Sequence, residues 1–171
     1  PISGSKALEK GAPRSSSSYA AEGTAAHEVL EMCLVNGKQA AAYQGRIIQA
    51  DGFDIEVTED MVENIQGVVD RVKQYAGEDG TVFAEQRLYY AEYLGVDRDK
   101  GWGTGDVTIA KGNKLIVSDL KYGRGQWVDV VENPQLMLYG LGAVAALHGA
   151  IQFGVCLREC GGHGERVVQI G

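Results

Sequence analysis

The sequence has few cysteines, no long apolar run and fewer basic than acidic residues, and the first two shortages each exclude a class of protein. Its 171 residues include three cysteines, an odd number at loose spacings, which argues against a disulfide framework and for a reducing compartment. The longest apolar runs, such as 142–147, are much shorter than the ~20 residues of a membrane span, and no signal-peptide pattern is present. We therefore expect a cytoplasmic protein with no membrane partner.

Basic residues are outnumbered by acidic ones. The sequence has 16 Lys and Arg and 23 Asp and Glu, which gives a net charge of −7. An acidic protein is a poor match for the phosphate backbone of nucleic acids. Residues 98–126, however, contain six basic and three acidic residues, so this window is locally positive. The charge balance predicts a basic site on an acidic body and does not exclude a nucleic-acid substrate.

The composition, 44% hydrophobic over 171 residues, is typical of one folded domain. Residues 1–18, which include a run of four serines, are predicted to be a flexible lead-in, and residues 19–171 to form a single domain. The abrupt ends at Pro1 and Gly171 lead us to expect further segments beyond them.

Hydrophobic periodicity and capping residues predict the order helix, helix, three strands, helix, two strands, which is an α/β arrangement. The predicted helices are 19–35 after Ser18, 59–77 after Thr58, and 134–148 after Asn133. The predicted strands are 81–90, 106–110, 114–121, 151–158 and 165–170, with a further short one at 126–131. Strands 106–110 and 114–121 are expected to pair as a hairpin, as are the last two. The residues between the first two helices are predicted to be a connector.

Asp119 and Lys121 lie two residues apart in a strand that is otherwise mostly apolar. Because side chains alternate along a strand, both project from one face, whereas Leu120 points into the opposite layer. Asp106, on the partner strand of the hairpin, can reach the same end of the sheet. Two carboxylates suit a hard divalent cation, and a lysine beside them can orient water or stabilise charge on a phosphate. The alternative is a salt bridge on a solvated face, within an acidic protein-interaction surface, which would contribute little to stability.

Gln135-x-x-x-Tyr139 follows these residues on the next predicted helix. The combination of Asp106, Asp119-Leu120-Lys121 and this pair, with the segments YAAEGTAAH at 19–27, DLKYGRG at 119–125 and NPQ at 133–135, resembles the PD-(D/E)xK nuclease superfamily. More narrowly, these segments resemble the phage- and prophage-encoded nucleases of the RecB-type branch. The resemblance covers most of residues 19–147. Gly105 stands where the motif's name has proline, which is a common variation in that branch.

The resemblance implies a restriction-endonuclease-like core, a central mixed β-sheet flanked by helices in the order αβββαβ. It also implies a magnesium- or manganese-dependent deoxyribonuclease, favouring an exonuclease, that hydrolyses phosphodiester bonds in phage DNA recombination or processing. DNA is the implied substrate; other candidate partners are a phage recombination or single-strand annealing protein and further copies of the chain. A phage-encoded member would act in the cytoplasm of its bacterial host. The alternative is a catalytically inactive nuclease fold that only binds DNA or protein.

The matched positions take their roles from the resemblance. The implied ligands of one or two Mg²⁺ or Mn²⁺ ions are His27, Asp106, Asp119 and the backbone carbonyl of Leu120. Lys121 is the implied catalytic lysine. Glu85 stands where many relatives carry an acid near the site, and is counted with Asp106 and Asp119 as a catalytic candidate.

DNA contacts are predicted for Gln135 and Tyr139, which lie one helical turn apart, and for Arg124. Lys111, Lys114 and Trp127 are further candidates because they lie near the site in sequence, although a solvated hairpin would explain them equally well.

Several of these residues have a structural alternative. His27 could be a surface histidine accompanied by the glutamates of its own helix. Gln135 and Tyr139 could form the polar edge of a core helix. Glu85 could pair with Arg87 on the sheet surface.

Other cofactors find less support in the sequence. Some relatives hold an iron–sulfur cluster on four cysteines, but only three are present, so no cluster is expected. A zinc site built from Cys33, Cys156, Cys160 and His163 has loose spacing, and small buried core residues are the simpler interpretation of Cys33 and Cys156. The sequence has no Gly-rich loop ending in Gly-Lys-Ser/Thr, and so shows no sign of a nucleotide-hydrolysing motor.

Overall fold

The computed structural model describes residues 18–122 and 133–147 together with the backbone of residues 152–159 and 165–170. The α-helices are α1 (Ser18–Asn36), α2 (Glu59–Ala76), α3 (Ala91–Leu94) and α4 (Pro134–Leu147), and short 3-10 helices span Ala40–Tyr43 and Arg98–Lys100. The strands are β1 (Ile47–Ala50), β2 (Phe53–Glu56), β3 (Thr81–Tyr89), β4 (Trp102–Lys111), β5 (Lys114–Lys121), β6 (Gln152–Glu159) and β7 (Glu165–Ile170). The protein is therefore mixed α/β, as predicted.

Five strands form the central sheet in the order β3-β4-β5-β6-β7. Neighbouring strands are antiparallel except β5 and β6, which are parallel. Parallel strands require a crossover connection, and the one between β5 and β6 contains α4. Both predicted hairpins, β4 with β5 and β6 with β7, are confirmed. The first of them turns at Gly112, whose φ of 56° suits glycine.

The predicted caps fix two of the helices. The Thr58 hydroxyl accepts a hydrogen bond from the backbone N–H of Met61 at the start of α2. The Asn133 side chain accepts from the backbone N–H groups of Gln135 and Leu136 at the start of α4. The first helix includes Ser18, which was predicted to cap it, a difference of one residue at a helix end.

The predicted connector between α1 and α2 is wrong. Residues 40–43 form a 3-10 helix, and β1 and β2 pair as an antiparallel hairpin. Its turn is Asp51-Gly52, with φ of 50° and 85°, the positive values that a two-residue hairpin turn requires. This Asp-Gly pair between short apolar runs is the sequence signal that the prediction missed.

The strand predicted to begin at Asp106 begins four residues earlier, at Trp102. Gly103 and Gly105 conceal it in the sequence because they break the alternating pattern. Both glycines lie against large side chains: a Cβ at Gly103 would fall 2.4 Å from Tyr139, and one at Gly105 would fall 2.8 Å from Leu88. Glycine in these positions lets the strand approach its neighbours closely.

Two apolar clusters cover the two faces of the sheet. The larger joins α1, α2 and the β1–β2 hairpin to the sheet through residues such as Val29, Ile65 and Ile109. It also contains Cys33, which is 1% exposed and therefore a buried core residue, as predicted. The smaller cluster, which includes Leu115 and Ala143, lies beneath α4. In the described part of the chain, no helix is both long enough and apolar enough to cross a bilayer.

Several predictions fall outside the described residues. They concern the lead-in up to residue 17, the strand at 126–131, Arg124, Trp127, and the side chains of Cys156, Cys160 and His163.

Candidate functional site

At one residue of β3, the alternation of side chains between the two faces of the sheet is reversed. Val82 packs against the larger cluster, whereas Leu88, an even number of residues later, belongs to the smaller one. A regular strand would keep both on one face. Glu85 lies between them with φ of 48°, a left-handed conformation that is uncommon for a residue other than glycine. Such a conformation costs about 1–3 kcal/mol and is concentrated at functional sites.

Three acidic residues lie beside one another across the sheet at this level. Val107 of β4 pairs with Ala84 of β3 and with Ser118 of β5. The adjacent residue in each of the three strands is acidic, and these residues are Glu85, Asp106 and Asp119. Asp106 is 7% exposed and Asp119 is 4% exposed, while Glu85 is half-buried. Burying carboxylates is costly unless a cation or hydrogen-bond donors compensate them.

His27, on α1, provides one such compensating charge. Its Nδ1 lies 3.3 Å from Asp106 Oδ1 and 3.8 Å from Glu85 Oε1. Burial by itself would lower the pKa of the imidazole, but hydrogen bonds and charge from Asp106 and Glu85 outweigh it and raise the pKa of His27 to about 10. His27 is therefore protonated at neutral pH when no metal is bound.

Lys121 compensates the third acid. Its ammonium forms an ion pair with Asp119 Oδ2, and Asp119 Oδ1 accepts a hydrogen bond of 3.4 Å from Gln135 Nε2. Burial and then repulsion from Asp106 raise the pKa of Asp119, which Lys121 partly opposes. The Lys121 side chain is 36% exposed, so its ammonium meets solvent while Asp119 stays inside.

The predicted alternation at 119–121 is confirmed. The Leu120 side chain belongs to the larger cluster, on the face opposite the contact of Asp119 with α4. The backbone N–H of Leu120 donates a hydrogen bond to Asp106 Oδ2, which fixes that carboxylate. The role implied for the Leu120 carbonyl stays a prediction.

Gln135 and Tyr139 lie side by side on α4, as their spacing predicts. Gln135 Nε2 donates to the Tyr139 hydroxyl at 3.0 Å as well as to Asp119. The Tyr139 ring packs against the smaller cluster and lies 6.4 Å from the ring of Tyr90. The pair therefore combines the two interpretations, because it is a polar edge of a core helix that also contacts a buried acid of the site.

The structure brings together nearly all of the predicted site residues that it describes. Imidazole and carboxylate atoms of His27, Glu85 and Asp106 all lie within 4.8 Å of one another, a group that could hold a metal ion. Asp119 lies outside this group and contacts Lys121 and Gln135 instead. Its predicted role as a metal ligand stays a prediction, and Glu85 joins His27 and Asp106 as a further candidate ligand. The left-handed backbone that turns Glu85 toward His27 has no signature in the sequence.

The alternatives for two residues can now be compared with the contacts. His27 faces the acids of the sheet, and its described contacts are with Asp106 and Glu85. Arg87 stacks on the Trp102 ring, with its guanidinium carbon 4.0 Å from the ring centroid. Each of these contacts differs from the surface pairing that the alternative proposed.

Two other candidates lie away from the group. Lys111 and Lys114 flank the β4–β5 turn, and the five residues from Asp106 to Lys111 correspond to roughly 17 Å of strand. The Lys111 ammonium lies instead at the end of α2, where a Cβ on Gly77 would fall 2.6 Å from it.

We call His27, Glu85 and Asp106 the candidate metal group. A surface pocket of about 810 Å³ opens onto it from the side of α1, and the lining of this pocket includes Gly23, Thr24, His27, Glu28 and Glu85. The carboxylate oxygens suit Mg²⁺ and Mn²⁺, whereas an imidazole nitrogen is a ligand typical of transition metals, so the mixed donor set fits Mn²⁺ better than Mg²⁺. The charges fit as well, since a divalent cation could replace the His27 proton as the charge that compensates Glu85 and Asp106.

Comparison with protein families gives a match over most of the chain. The model of a family described as "Protein of unknown function (DUF2800)" matches residues 2–154. The matched region is most of the chain, and it contains every residue of the group described above.

Proposed function

The chain belongs to the DUF2800 family, and we propose that it is a metal-dependent deoxyribonuclease of the PD-(D/E)xK superfamily, RecB-type branch. The observation that carries the proposal is the convergence of one histidine, three acids and one lysine at the distorted level of the sheet. These residues are His27 of α1, Glu85 of β3, Asp106 of β4, and Asp119 and Lys121 of β5.

The topology supports the same assignment. Reading α1, then β3, β4 and β5, then α4 and β6 gives the order αβββαβ, with β6 parallel to β5. That order agrees with the restriction-endonuclease-like core that the sequence resemblance implies. In it, the acids of the motif lie on adjacent central strands and the Gln-x-x-x-Tyr pair lies on the following helix.

The residues that would hold Mg²⁺ or Mn²⁺ are His27, Glu85 and Asp106, with Asp119 beside them for the same ion or a second one. A bound divalent cation would make a coordinated water acidic enough to act as a nucleophile and would offset the charge of the scissile phosphate. The backbone N–H of Leu120 orients Asp106 for this role.

Lys121 supplies the positive charge that the protein itself brings to the reaction. Its ammonium is partly exposed and is oriented by Asp119, which is in turn fixed by Gln135. In this position it can donate a hydrogen bond to the attacking water or to a non-bridging phosphate oxygen, where negative charge develops. Hydrolysis would leave a 5′-phosphate and a 3′-hydroxyl.

The narrower proposal is an exonuclease that acts in phage DNA recombination or processing, supported by the sequence resemblance. It is tested with end-labelled linear DNA and closed circular DNA of the same sequence, each with Mn²⁺. An exonuclease degrades the linear substrate and leaves the circle intact. Cleavage of the circle at a comparable rate would contradict the exonuclease proposal and indicate an endonuclease.

The nuclease proposal is tested by Lys121→Ala, with Lys111→Ala as its matched control at the far end of β4. We expect Lys121→Ala to lower the cleavage rate about 10²–10³-fold, because one positioned transition-state donor is lost. Lys111→Ala should cleave like the wild type. Full cleavage by both Lys121→Ala and Asp119→Ala would overturn the proposal. Tight binding of DNA by the wild type with no cleavage under any metal would instead favour the inactive binding module.

A further inference from the structure

Two arginines stack on aromatic rings where β3 ends and β4 begins. The guanidinium carbon of Arg87 lies 4.0 Å from the centroid of Trp102, and that of Arg98 lies 4.1 Å from the centroid of Tyr89. Tyr89 and Trp102 are paired across the two strands, so their side chains share a face, and Arg87, two residues before Tyr89, shares it too. We call these four residues the arginine–aromatic surface.

This surface begins beside the candidate metal group. Arg87 follows Glu85 by two residues of β3 and Tyr89 follows it by four, which corresponds to roughly 7 and 13 Å along the strand. A strand of nucleic acid with one phosphodiester at the metal group would therefore place its neighbouring nucleotides over the surface.

The two stacked pairs are unusually close together. Energetically significant cation–π pairs occur about once per 70–80 residues, yet these two share one pair of strand ends. Arg87 and Arg98 are exposed and Tyr89 and Trp102 are half-buried. Each arginine thus has its guanidinium carbon over a half-buried ring, while the arginine side chain itself is accessible to a ligand.

The chemistry of the surface favours an unpaired nucleic-acid strand. Aromatic rings and guanidinium planes stack on base faces regardless of sequence, and the arginine charge attracts the phosphates. A duplex keeps its base faces stacked inside. Near the surface, Glu92 and Asp99 are exposed and would repel the denser charge of a duplex backbone, whereas Asp97 forms an ion pair with Lys100.

We infer that the arginine–aromatic surface binds single-stranded nucleic acid by base stacking and leads it to the metal group. The inference rests on the proposed nuclease function for the direction in which the strand runs, but the binding itself is measurable without cleavage.

The test measures fluorescence anisotropy of a labelled single-stranded oligonucleotide and of a duplex of the same length, with the full chain in EDTA. We expect the single strand to bind at least about tenfold more tightly than the duplex. Arg87→Ala, Arg98→Ala and Trp102→Ala should each weaken single-strand binding about tenfold, the effect of losing one stacking contact. Arg46→Ala is the matched control, because Arg46 also stacks on a ring, that of Tyr43, beside the β1–β2 hairpin. It should leave binding unchanged.

Trp102 is half-buried, so its removal could disturb folding. Arg98→Ala and Arg87→Lys avoid this problem: the first removes an exposed side chain, and the second keeps the charge but loses the planar stacking group. Thermal unfolding of each variant shows whether the fold is intact. In addition, single-strand binding should quench the indole fluorescence of the wild type more than that of Trp102→Phe.

The outcomes separate this inference from the nuclease proposal. Single-strand affinity that is unchanged in both Arg98→Ala and Arg87→Lys, or equal affinity for the duplex, would overturn the surface and leave the nuclease test unaffected. A different result is that the wild type cleaves no DNA with any metal, while these variants still lose single-strand binding. That result would support the surface and reject the nuclease proposal.

Discussion

The same three strands, β3, β4 and β5, have two contrasting ends. At the turn end, residues such as Ile109, Leu115 and Val117 are at most 1% exposed, and the strands pair in a regular ladder. Further from the turn, midway along β3 and β4 and toward the end of β5, lies the charged end, where Glu85 has left-handed backbone and Asp106 is buried as a charged group. Strain and buried charge both cost stability, so the apolar end must stabilise the geometry that the charged end needs.

The largest expected effect comes from the apolar end. Ile109→Ala should lower the free energy of unfolding by about 2–5 kcal/mol, because it leaves a cavity in a fully packed core. Urea unfolding in EDTA measures this change, with Asp106→Asn as the comparison from the charged end. We expect the cost of Ile109→Ala to exceed that of Asp106→Asn. The reverse order would mean that the contact of Asp106 with His27 stabilises the fold more than the packing of Ile109 does, and the contrast between the two ends would fail.

The second effect belongs to the charged end. Manganese at about 100 times its dissociation constant should raise the free energy of unfolding by about 2.7 kcal/mol, because it binds only the folded site. Glu85→Gln and Asp106→Asn should remove most of this rise, seen as a loss of the manganese-dependent shift in the unfolding temperature. Glu63→Gln, an exposed glutamate on α2, is the control. An unchanged shift in both site variants would place the metal elsewhere.

The third effect is a pH dependence at His27. Its pKa of about 10 in the metal-free protein means that a bound metal must displace a proton. Manganese affinity should therefore rise about tenfold per pH unit between pH 7 and 9, as measured by calorimetry, and His27→Gln should flatten this dependence. A slope that is equally steep in the variant would show that another group releases the proton.

Stability without metal should change in the opposite direction. The folded protein binds the His27 proton more tightly than the unfolded chain, whose pKa is near 6.5. The stabilisation from His27 is therefore complete below about pH 6.5 and is lost as the pH rises toward 10. Wild type and His27→Gln in EDTA should accordingly converge in stability as the pH increases across this range.

The smallest effect concerns the support of Asp119 by α4. Tyr139→Phe keeps the ring over Gly103 but removes the hydroxyl that contacts Gln135. One hydrogen bond contributes about 0.5–1.5 kcal/mol, so DNA cleavage should fall severalfold while the manganese shift stays as in the wild type. A loss as large as that of Lys121→Ala would assign Tyr139 a direct role in the reaction.

The sequence was most informative where structure depends on neighbours along the chain. Thr58 and Asn133 cap helices, and alternation puts Asp119 and Lys121 on one face, because these effects are local. The Asp51-Gly52 turn is an equally local signal, although its hairpin was predicted to be a connector. The start of β4 was missed for a different reason, since Gly103 and Gly105 are explained by side chains distant in sequence.

The amino-acid sequence by itself thus determined the main helices and strands, the two long hairpins, and the residues from which a metal site could be built. Only the tertiary structure decided which of them meet. The grouping of His27 with Glu85 and Asp106 depends on how α1 packs and on one left-handed residue in β3. The stacking of Arg87 and Arg98 on aromatic rings depends on the pairing of β3 with β4 and on the segment that joins them. Local patterns fix the direction of a side chain relative to its own backbone, whereas contacts between elements are fixed by packing of the whole core.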